Sequence, residues 1–381
     1  MLTGCGENWR TEAISDSRLS GMKIHQMLPT LTVGDAIGNQ VLAIRGLLRD
    51  AGHVSEIFAE RWHPDLAGEC RRYDEYGRVS GKDNLLLLHY SIGGPSNTYA
   101  LALPDRVVLM YHNITPARFF QATNAEFARQ LREARADLKA LAGRRPAIAG
   151  SEFNRLELLD LGFEVLGVAP YIIARDLRTA SPDAPAAARA RIRYAATDTR
   201  TWLHVGRLAP NKRIDDIIRA FYHYHVWIDP RSTLLLVGTG DGNDAYVAGL
   251  YRLVTDLGLD GAVAFCGHWP DDGLAAFYRM AYLYVCMSEH EGFCIPLVEA
   301  MAFDLPVLAY ASTSVPYTLG DAGILFRRKE HAAVAEMAHE LATDQALRAT
   351  VIARQRARLA AFDPALAREQ VLACIQAAGG I

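Results

Sequence analysis

Four consecutive leucines mark a strand that must be covered on both faces. Residues 84–89 read Asn-Leu-Leu-Leu-Leu-His, an uninterrupted apolar run between two polar ends. Such a run is typical of a parallel sheet with helices on both sides, whereas a strand with one face in water alternates. Other strand-like segments alternate with helical ones along the chain, at 22–28, 54–59, 106–111, 202–206, 232–237, 263–266, 281–285, 307–309 and 324–326. This alternation predicts doubly wound parallel sheets of the α/β class.

Length and composition set the broad class. The 381 residues are too many for one ordinary core and predict two domains. Half of the residues are apolar and 22% are charged, as in a soluble globular enzyme, and the net charge of −3 gives no field that attracts nucleic acid. No apolar run is long enough to span a bilayer, and the first 20 residues lack the apolar core of a signal peptide. We therefore predict a cytoplasmic protein in which residues 1–21 form a disordered extension.

The cysteines are scattered without Cys-x-x-Cys spacing, which predicts small apolar side chains in a reducing cytosol. There are six of them: Cys5, Cys70, Cys266, Cys286, Cys294 and Cys374. No partner base is visible near Cys294, so we predict that this thiol is not a nucleophile.

The segment 288–301 joins a loop to the start of a helix predicted at 296–303. Pro296 suits the first helical position, where its missing N–H costs nothing. An open helix N-terminus after Gly292 would then present the amides of Phe293, Cys294 and Ile295. Unpaired amides at the positive end of a helix dipole bind anions.

Two acids flank this predicted anion site, Glu291 in the loop and Glu299 in the helix. Carboxylates beside an anion site suit a ligand that also carries hydroxyl groups. A nucleotide sugar has both parts, a diphosphate for the amides and hydroxyls for the acids.

The string Glu-Gly-Phe-x-x-Pro-Leu-x-Glu-Ala-Met, from Glu291 to Met301, resembles the signature of family-4 retaining glycosyltransferases. The resemblance extends from Met22 to the C-terminus. It implies the GT-B fold, in which two Rossmann-like doubly wound parallel-sheet domains face each other across a cleft. The expected parts are an acceptor-side domain at 22–169, a hinge at 170–200, a nucleotide-sugar-binding domain at 201–362 and a C-terminal helix at 363–381 that packs back on the first domain.

A second motif of that family matches the loop after the strand at 202–206. Gly206 and Arg207 follow the strand, and Lys212 comes five residues later, before a helix predicted at 215–226. Two cations near the cleft can neutralise a diphosphate. Gly238, after the strand at 232–237, lies in a glycine-rich turn that we expect to leave room for the nucleotide.

Loops of the first domain supply candidates for the acceptor and sugar side. The segment 29–38 carries Gly34, Asp35 and Gly38 between the first strand and helix, although a plain turn explains them nearly as well. His112 and Asn113 follow a buried strand, at the end where parallel sheets bind ligands. Asn154 follows Ser151, which suits a helix cap. The resemblance implies that His112 points at the reacting sugar; a histidine bonded within its own loop is the alternative.

The resemblance also implies the chemistry. A hexose would move from a nucleoside-diphosphate sugar to a hydroxyl with retained configuration, by front-face attack in which the leaving phosphate takes the acceptor proton. Arg207 and Lys212 would stabilise the leaving diphosphate, Glu299 would hold the ribose diol, and Glu291 would hold the transferred sugar. No Asp-x-Asp occurs in a suitable loop, so we predict no metal and no cofactor besides the donor itself.

The sequence leaves the substrates open. The donor is a GDP- or UDP-linked sugar, with a slight preference for GDP-mannose; the acceptor is a saccharide or a polyprenyl-diphosphate-linked saccharide. A basic helix at 126–145 suits either peripheral contact with an anionic membrane or ordinary solvation. The competing classes are an NAD(P)-dependent oxidoreductase or epimerase, whose glycine motif is missing after the first strand, and a non-catalytic sugar-nucleotide-binding protein. A phosphorylase would need a pyridoxal-lysine site that we do not find.

Overall fold

Two parallel sheets organise the protein. The structure is a computed structural model that describes residues 21–173, 177–194 and 199–379. The first sheet has seven strands, in the order β3-β2-β1-β4-β5-β6-β7. They are β1 (Ile24–Leu31), β2 (Ile57–Trp62), β3 (Arg71–Arg72), β4 (Leu85–Tyr90), β5 (Arg106–Tyr111), β6 (Ala147–Ala149) and β7 (Val165–Val168). Its helices are α1 (Ala36–Asp50), α2 (Pro95–Leu101), α3 (Ala125–Leu141) and α4 (Glu152–Asp160).

The second sheet has six strands, in the order β10-β9-β8-β11-β12-β13. They are β8 (Thr201–Val205), β9 (Thr233–Val237), β10 (Val263–Gly267), β11 (Leu283–Cys286), β12 (Val307–Tyr310) and β13 (Ile324–Phe326). The remaining helices are α5 (Pro185–Tyr194), α6 (Ile214–Trp227), α7 (Asp244–Asp256), α8 (Asp271–Met280), α9 (Ile295–Ala302), α10 (Val315–Leu319), α11 (His331–Thr343), α12 (Gln345–Arg358) and α13 (Pro364–Gly379). The predicted pair of doubly wound parallel sheets is confirmed.

The leucine run is the centre of the first sheet, as its pattern predicts. Every residue of β4 is buried. Leu86 and Leu88 join the cluster under α3, whereas Leu85 and Leu87 join the cluster under α1 and α13. Each such buried leucine stabilises the fold by about 1.5–3 kcal/mol. The uninterrupted run is therefore needed because helices cover both faces.

The last helix lies against the first sheet. Val371, Cys374 and Ile375 of α13 share a buried cluster with Ile24 of β1 and Ile148 of β6. The preceding helix α12 belongs to the second half of the molecule, where Val351 packs with the second-sheet core. The C-terminal segment therefore bridges the two halves.

The segment predicted as a hinge is partly packed. Within its described residues α5 lies against α8, and Ala187 and Ala190 are fully buried in the core of the second sheet. Residues 174–176 and 195–198 lie outside the described part, as do 1–20 of the predicted N-terminal extension.

Element boundaries differ from the sequence predictions near the site. Strand β1 continues to Leu31 and α1 begins at Ala36, so the predicted loop at 29–38 shrinks and Gly38 lies inside the helix. Helix α9 begins at Ile295, one residue before the predicted start at Pro296. Among the described helices, none is both long and apolar enough to cross a membrane.

Candidate active site

The candidate site lies where the strand order of the second sheet reverses. Strands β8 and β11 are neighbours there, although they are far apart in sequence. In open parallel sheets, ligands bind beyond the carboxyl ends of the strands at such a switch point. The loop after β8 carries Arg207 and Lys212, and the segment 287–294 between β11 and α9, the β11–α9 loop, carries Glu291.

The β11–α9 loop ends in an uncapped helix. Cys294 is the N-cap of α9, in the left-handed region at φ +73°, and its side chain makes no capping hydrogen bond. In the described part of the chain, no acceptor pairs with the amides of Phe293, Cys294 or Ile295. The hydroxyl of Thr318 holds this loop without using these amides, because its Oγ1 donates to the carbonyl oxygen of Phe293 at 2.5 Å. The amides and the helix dipole thus form the kind of site that binds an anion.

Lys212 and Glu291 form a buried ion pair. The Lys212 Nζ atom lies 2.6 and 2.5 Å from the two carboxylate oxygens, and the side chains are only 22% and 7% exposed. Burial lowers the pKa of Lys212, but the Glu291 charge outweighs it and the net shift is upward. Burial likewise raises the pKa of Glu291, and Lys212 reverses the shift to a net lowering. The sequence predicted separate partners for the two side chains, whereas the structure pairs them because a buried charge needs a counter-charge.

Asn211 joins the loop after β8, which carries Lys212, to the β11–α9 loop by two hydrogen bonds. Its Nδ2 donates to the His290 carbonyl at 3.0 Å, and its own carbonyl accepts from the Glu289 amide at 2.8 Å. The Glu289 carboxylate also accepts from Arg213 at 3.0 Å and from Lys329 at 2.8 Å. These residues were not identified from the sequence, although Asn211 stands directly before Lys212.

The thiol of Cys294 lies against that of Cys286. The hydrogen bond with Cys286, together with burial, raises the pKa of Cys294 well above its ordinary value. A protonated thiol is a poor nucleophile. The contact therefore supports the prediction that Cys294 is not a nucleophile.

Asn113 connects the two halves of the molecule across the cleft. Its Nδ2 donates to Asn154 Oδ1 and to Glu157 Oε2, each at 3.0 Å. Its Oδ1 lies 2.5 Å from His290 Nε2, so the histidine is the donor. Burial lowers the pKa of His290 to about 4, which keeps the ring neutral. The predicted candidates Asn113 and Asn154 thus lie together, with His290 as a partner that the sequence analysis missed.

Gly292 allows this contact. A Cβ placed on it would lie 2.8 Å from the His112 carbonyl oxygen and 2.9 Å from Asn113 Cβ. Real Cβ atoms do not approach other atoms so closely, so any larger residue would push the first-domain loop away from the β11–α9 loop. Glycine is required here by the other half of the molecule.

His112 has both ring nitrogens occupied. Gln26 Nε2 donates to the Val41 carbonyl, so Gln26 Oε1 accepts from His89 Nε2 at 2.9 Å. His89 Nδ1 must then accept from His112 Nε2 at 2.8 Å, and His112 Nδ1 accepts from the Tyr171 hydroxyl at 3.0 Å. Burial lowers the pKa of His112 to about 3.

This one-way chain of donors leaves neither His112 nitrogen for proton transfer at neutral pH. Both nitrogens are therefore bonded to side chains from outside its own loop, and the orientation of His112 towards a sugar stays a prediction.

Comparison with known proteins gives the family. The family described as Glycosyl transferases group 1 matches residues 189–358. The D-inositol 3-phosphate glycosyltransferase of Frankia alni is 30% identical over 332 residues, covering 82% of this chain and 79% of that protein. The chain belongs to the group 1 glycosyltransferases. The predicted resemblance to family-4-like glycosyltransferases is confirmed.

Other relatives match over different spans. The O-antigen chain mannosyltransferase B of Escherichia coli is 32% identical over 123 residues, and the match covers only 32% of either chain. HepE of Anabaena, solved in complex with UDP and glucose, has a TM-score of 0.67 at 20% identity, over 93% of this chain and 99% of its own. The likeness to HepE shows the fold alone and confirms the predicted GT-B architecture.

Glu299 of this glycosyltransferase is held by a buried tyrosine. The Tyr278 hydroxyl donates to Glu299 Oε2 at 2.7 Å. Burial, followed by the Glu299 charge, raises the pKa of Tyr278 well above its ordinary value, so the tyrosine remains a donor. The carboxylate is therefore fixed on α9 in one orientation.

Arg207 and Asp35 belong to the walls of the cleft. Arg207 is exposed and donates to the Asp241 carbonyl at 2.8 Å. Asp35 caps α1 by accepting from the Gly38 amide at 3.2 Å. Burial raises the pKa of Asp35, and hydrogen bonds from the first backbone amides of α1, followed by the Arg207 charge, counter the shift in part. Gly34 is an exposed loop residue and Gly38 is buried in the helix.

Gly206 and Gly238 have a packing role. A Cβ on Gly238 would lie 2.0 Å from the Gly206 carbonyl oxygen, and Gly238 has φ +137°. A side chain at Gly238 would therefore collide with the loop after β8, and room for a nucleotide in this glycine-rich turn stays a prediction.

Two arginines of the basic helix α3 form ion pairs with nearby glutamates. Arg129 pairs with Glu126 at 2.6 Å and with Glu133 at 2.5 Å. Arg135 pairs with Glu157 at 2.7 Å. Contact of this helix with a membrane and ordinary solvation of its face both stay predictions.

Proposed function

We propose that this glycosyltransferase moves a hexose from a nucleoside-diphosphate sugar to a saccharide hydroxyl, with retention of configuration. The proposal is carried by the unpaired amides at the α9 N-terminus, beside a loop that bears Lys212. A diphosphate fits this combination of helix dipole and cation. The reported relatives support it, since one is an O-antigen chain mannosyltransferase and the structural neighbour binds UDP and glucose.

The proposed roles follow from charge development. Breaking the sugar–phosphate bond places negative charge on the leaving diphosphate, which the amides, Lys212 and Arg207 would stabilise. Lys212 has three N–H donors, so it can keep a bond to Glu291 while it donates to a phosphate oxygen. Glu291 would accept from hydroxyls of the transferred hexose. The leaving phosphate would take the acceptor proton in a front-face attack, because His112 has no free nitrogen to do so.

We further propose that the acceptor approaches from the first domain. Gly34 and Asp35 lie in an exposed loop at that wall, and Asn113 lies where the first-domain loop meets Gly292. A saccharide or a polyprenyl-diphosphate-linked saccharide suits this side. The preferred donor is GDP-mannose, and a UDP-hexose is the other candidate. We propose that the product is a polysaccharide. We also propose that the enzyme acts in the cytoplasm, with or without peripheral membrane contact.

Nucleotide binding provides the first test. Saturating GDP or UDP is expected to raise the melting temperature, because a ligand at about 100 times its Kd stabilises a protein by about 2.7 kcal/mol. Glu299→Gln removes the charged acceptor proposed for the ribose diol and should weaken binding about 10–100-fold, since such a bond contributes about 1.5–3 kcal/mol. Glu336→Gln, on the exposed face of α11, is the matched control. Equal nucleotide affinity in wild type and Glu299→Gln would reject the ribose role.

Transfer itself is tested by product release. Incubation with GDP-mannose or a UDP-hexose and saccharide acceptors should release GDP or UDP. A protein that binds the nucleotide sugar but never releases the nucleotide would be a binding protein instead.

We expect turnover to persist in EDTA. Lys212, Arg207 and the α9 amides supply the positive charge that a metal provides in other transferases. The measurement compares initial rates of nucleotide release with EDTA and with added Mg²⁺. Loss of activity in EDTA that Mg²⁺ restores would contradict metal independence.

A further inference from the structure

Three potential metal ligands converge beneath the α9 N-terminus. The sulfurs of Cys286 and Cys294 and a carboxylate oxygen of Glu291 all lie within 4.8 Å of one another. The exposed fractions of these residues are 0%, 7% and 7%. Among the described residues no other such group of metal-ligating side chains occurs.

The fold builds this cluster from one short segment. Cys286 is the last residue of β11, and Cys294 is the N-cap of α9, turned back by its left-handed backbone. Glu291 lies between them, in a loop fixed by the bond from its amide to Thr313 Oγ1 at 2.9 Å. The three groups are therefore held close together by the backbone rather than by mobile side chains.

The ligand set selects a particular class of cation. Two sulfurs and one carboxylate suit Zn²⁺ and similar thiophilic ions, whereas Mg²⁺ prefers oxygen ligands alone. With Zn–S bonds of about 2.3 Å, two sulfurs on a tetrahedral ion lie roughly 3.8 Å apart. That separation is below the 4.8 Å within which the three ligand atoms lie in the structure. Three protein ligands leave a fourth position open.

Electrostatics also permits binding. Lys212 and Glu291 cancel each other, and the two thiols are neutral when protonated, so the cluster carries no net charge. A divalent cation that displaces both thiol protons leaves the cluster neutral again, because two thiolates balance it. Glu291 can ligate through one oxygen and keep Lys212 on the other. Replacement of the two thiol protons by the cation therefore leaves no uncompensated charge in the protein interior. Such a charge would be the main obstacle to cation binding.

We propose that Cys286, Glu291 and Cys294 bind one thiophilic divalent cation of the Zn²⁺ class, and that its binding blocks the nucleotide-sugar site. The blocking rests on the proposed function, because Glu291 and the Cys294 amide are assigned to the donor. The cation site itself does not depend on it. The ion acts as an inhibitor, in contrast to the metal cofactor of other transferases.

Cobalt provides a direct readout without any nucleotide. Titration of the reduced protein with Co²⁺ should produce a thiolate-to-cobalt charge-transfer band that saturates at one ion per chain. Cys286→Ala and Cys294→Ala should each abolish that band, and excess Zn²⁺ should bleach it in the wild type. Cys70→Ala removes a buried thiol of the first domain and is the matched control, with the band retained.

The outcomes separate clearly. Absence of the band in folded wild-type protein, or its survival in both cluster variants, would overturn the site. Far-ultraviolet circular dichroism verifies folding of each variant. If one variant fails to fold, the other decides.

The competition has its own test. Equimolar Zn²⁺ should reduce the melting-temperature increase that GDP or UDP gives in the wild type, and should leave the increase seen in Cys286→Ala unaltered. A cobalt band together with an undiminished nucleotide shift would overturn the blocking and leave the cation site standing. If neither nucleotide binds the metal-free protein, the donor assignment fails, and the cobalt titration still decides the site.

Discussion

Replacing Lys212 by alanine is expected to lower turnover by about 10²–10³-fold and to destabilise the protein by about 3–5 kcal/mol. The two losses have different causes. Turnover falls because a cation that stabilises the leaving diphosphate is lost. Stability falls because Glu291, only 7% exposed, is left without its counter-charge. Initial rates of nucleotide release and urea unfolding measure the two effects separately.

A double variant distinguishes the causes. Lys212→Met with Glu291→Gln removes both charges and keeps similar volumes, so most of the stability should return while turnover stays low. Arg356→Ala is a control, because its pairing with Asp304 is exposed and should contribute less than about 1 kcal/mol. Wild-type turnover in Lys212→Ala would refute the diphosphate role. A free energy of unfolding in Lys212→Ala equal to that of the wild type would show that the ion pair is unimportant for stability.

Gly292→Ala should lower turnover by about 10²-fold, because a shift of about 1 Å in a reacting site has effects of that size. The added methyl group meets the His112 carbonyl oxygen at 2.8 Å and Asn113 Cβ at 2.9 Å, so the two halves of the molecule must separate at the cleft. Overpacking of this kind destabilises by about 1–3 kcal/mol. We expect the effect on turnover to exceed the effect on stability.

Gly249→Ala is the matched control for this substitution. A Cβ at Gly249, inside α7, meets nothing within 4 Å. Alanine there should stabilise the protein by about 0.4–1 kcal/mol and leave turnover unchanged. Kinetics of Gly292→Ala that equal those of Gly249→Ala would show that the contact between the halves does not position the site.

The cleft depends on pairings between distant segments, and these limit what a sequence can reveal. Lys212 and Glu291 are 79 positions apart and meet only because β8 and β11 are adjacent in the sheet. Each motif predicts a ligand group as the partner of its charged residue, whereas in the structure Lys212 and Glu291 are paired with each other. Strand order is a property of the sheet, and it cannot be inferred from either motif alone.

The same limit applies to His112 and the cysteines. His112 was predicted from its place after a strand, but the bond to Tyr171 that occupies its second nitrogen comes from 59 residues away. Cys286 and Cys294 looked like isolated apolar side chains because their spacing matches no metal motif. The left-handed backbone at Cys294 brings the two sulfurs together, and a cysteine at that position does not predict such a conformation.

The sequence by itself determined the layered parallel architecture, because an uninterrupted leucine strand is stable only between two covering layers. It also determined that the segment at 288–301 leads into an uncapped helix beside two acids, because proline favours the first turn of a helix. Tertiary structure alone decided which charges neutralise each other, which nitrogens of His112 are occupied and why Gly292 has no side chain. Those outcomes depend on atoms from separate strands and from both halves of the molecule, which come into contact only when the sheets assemble.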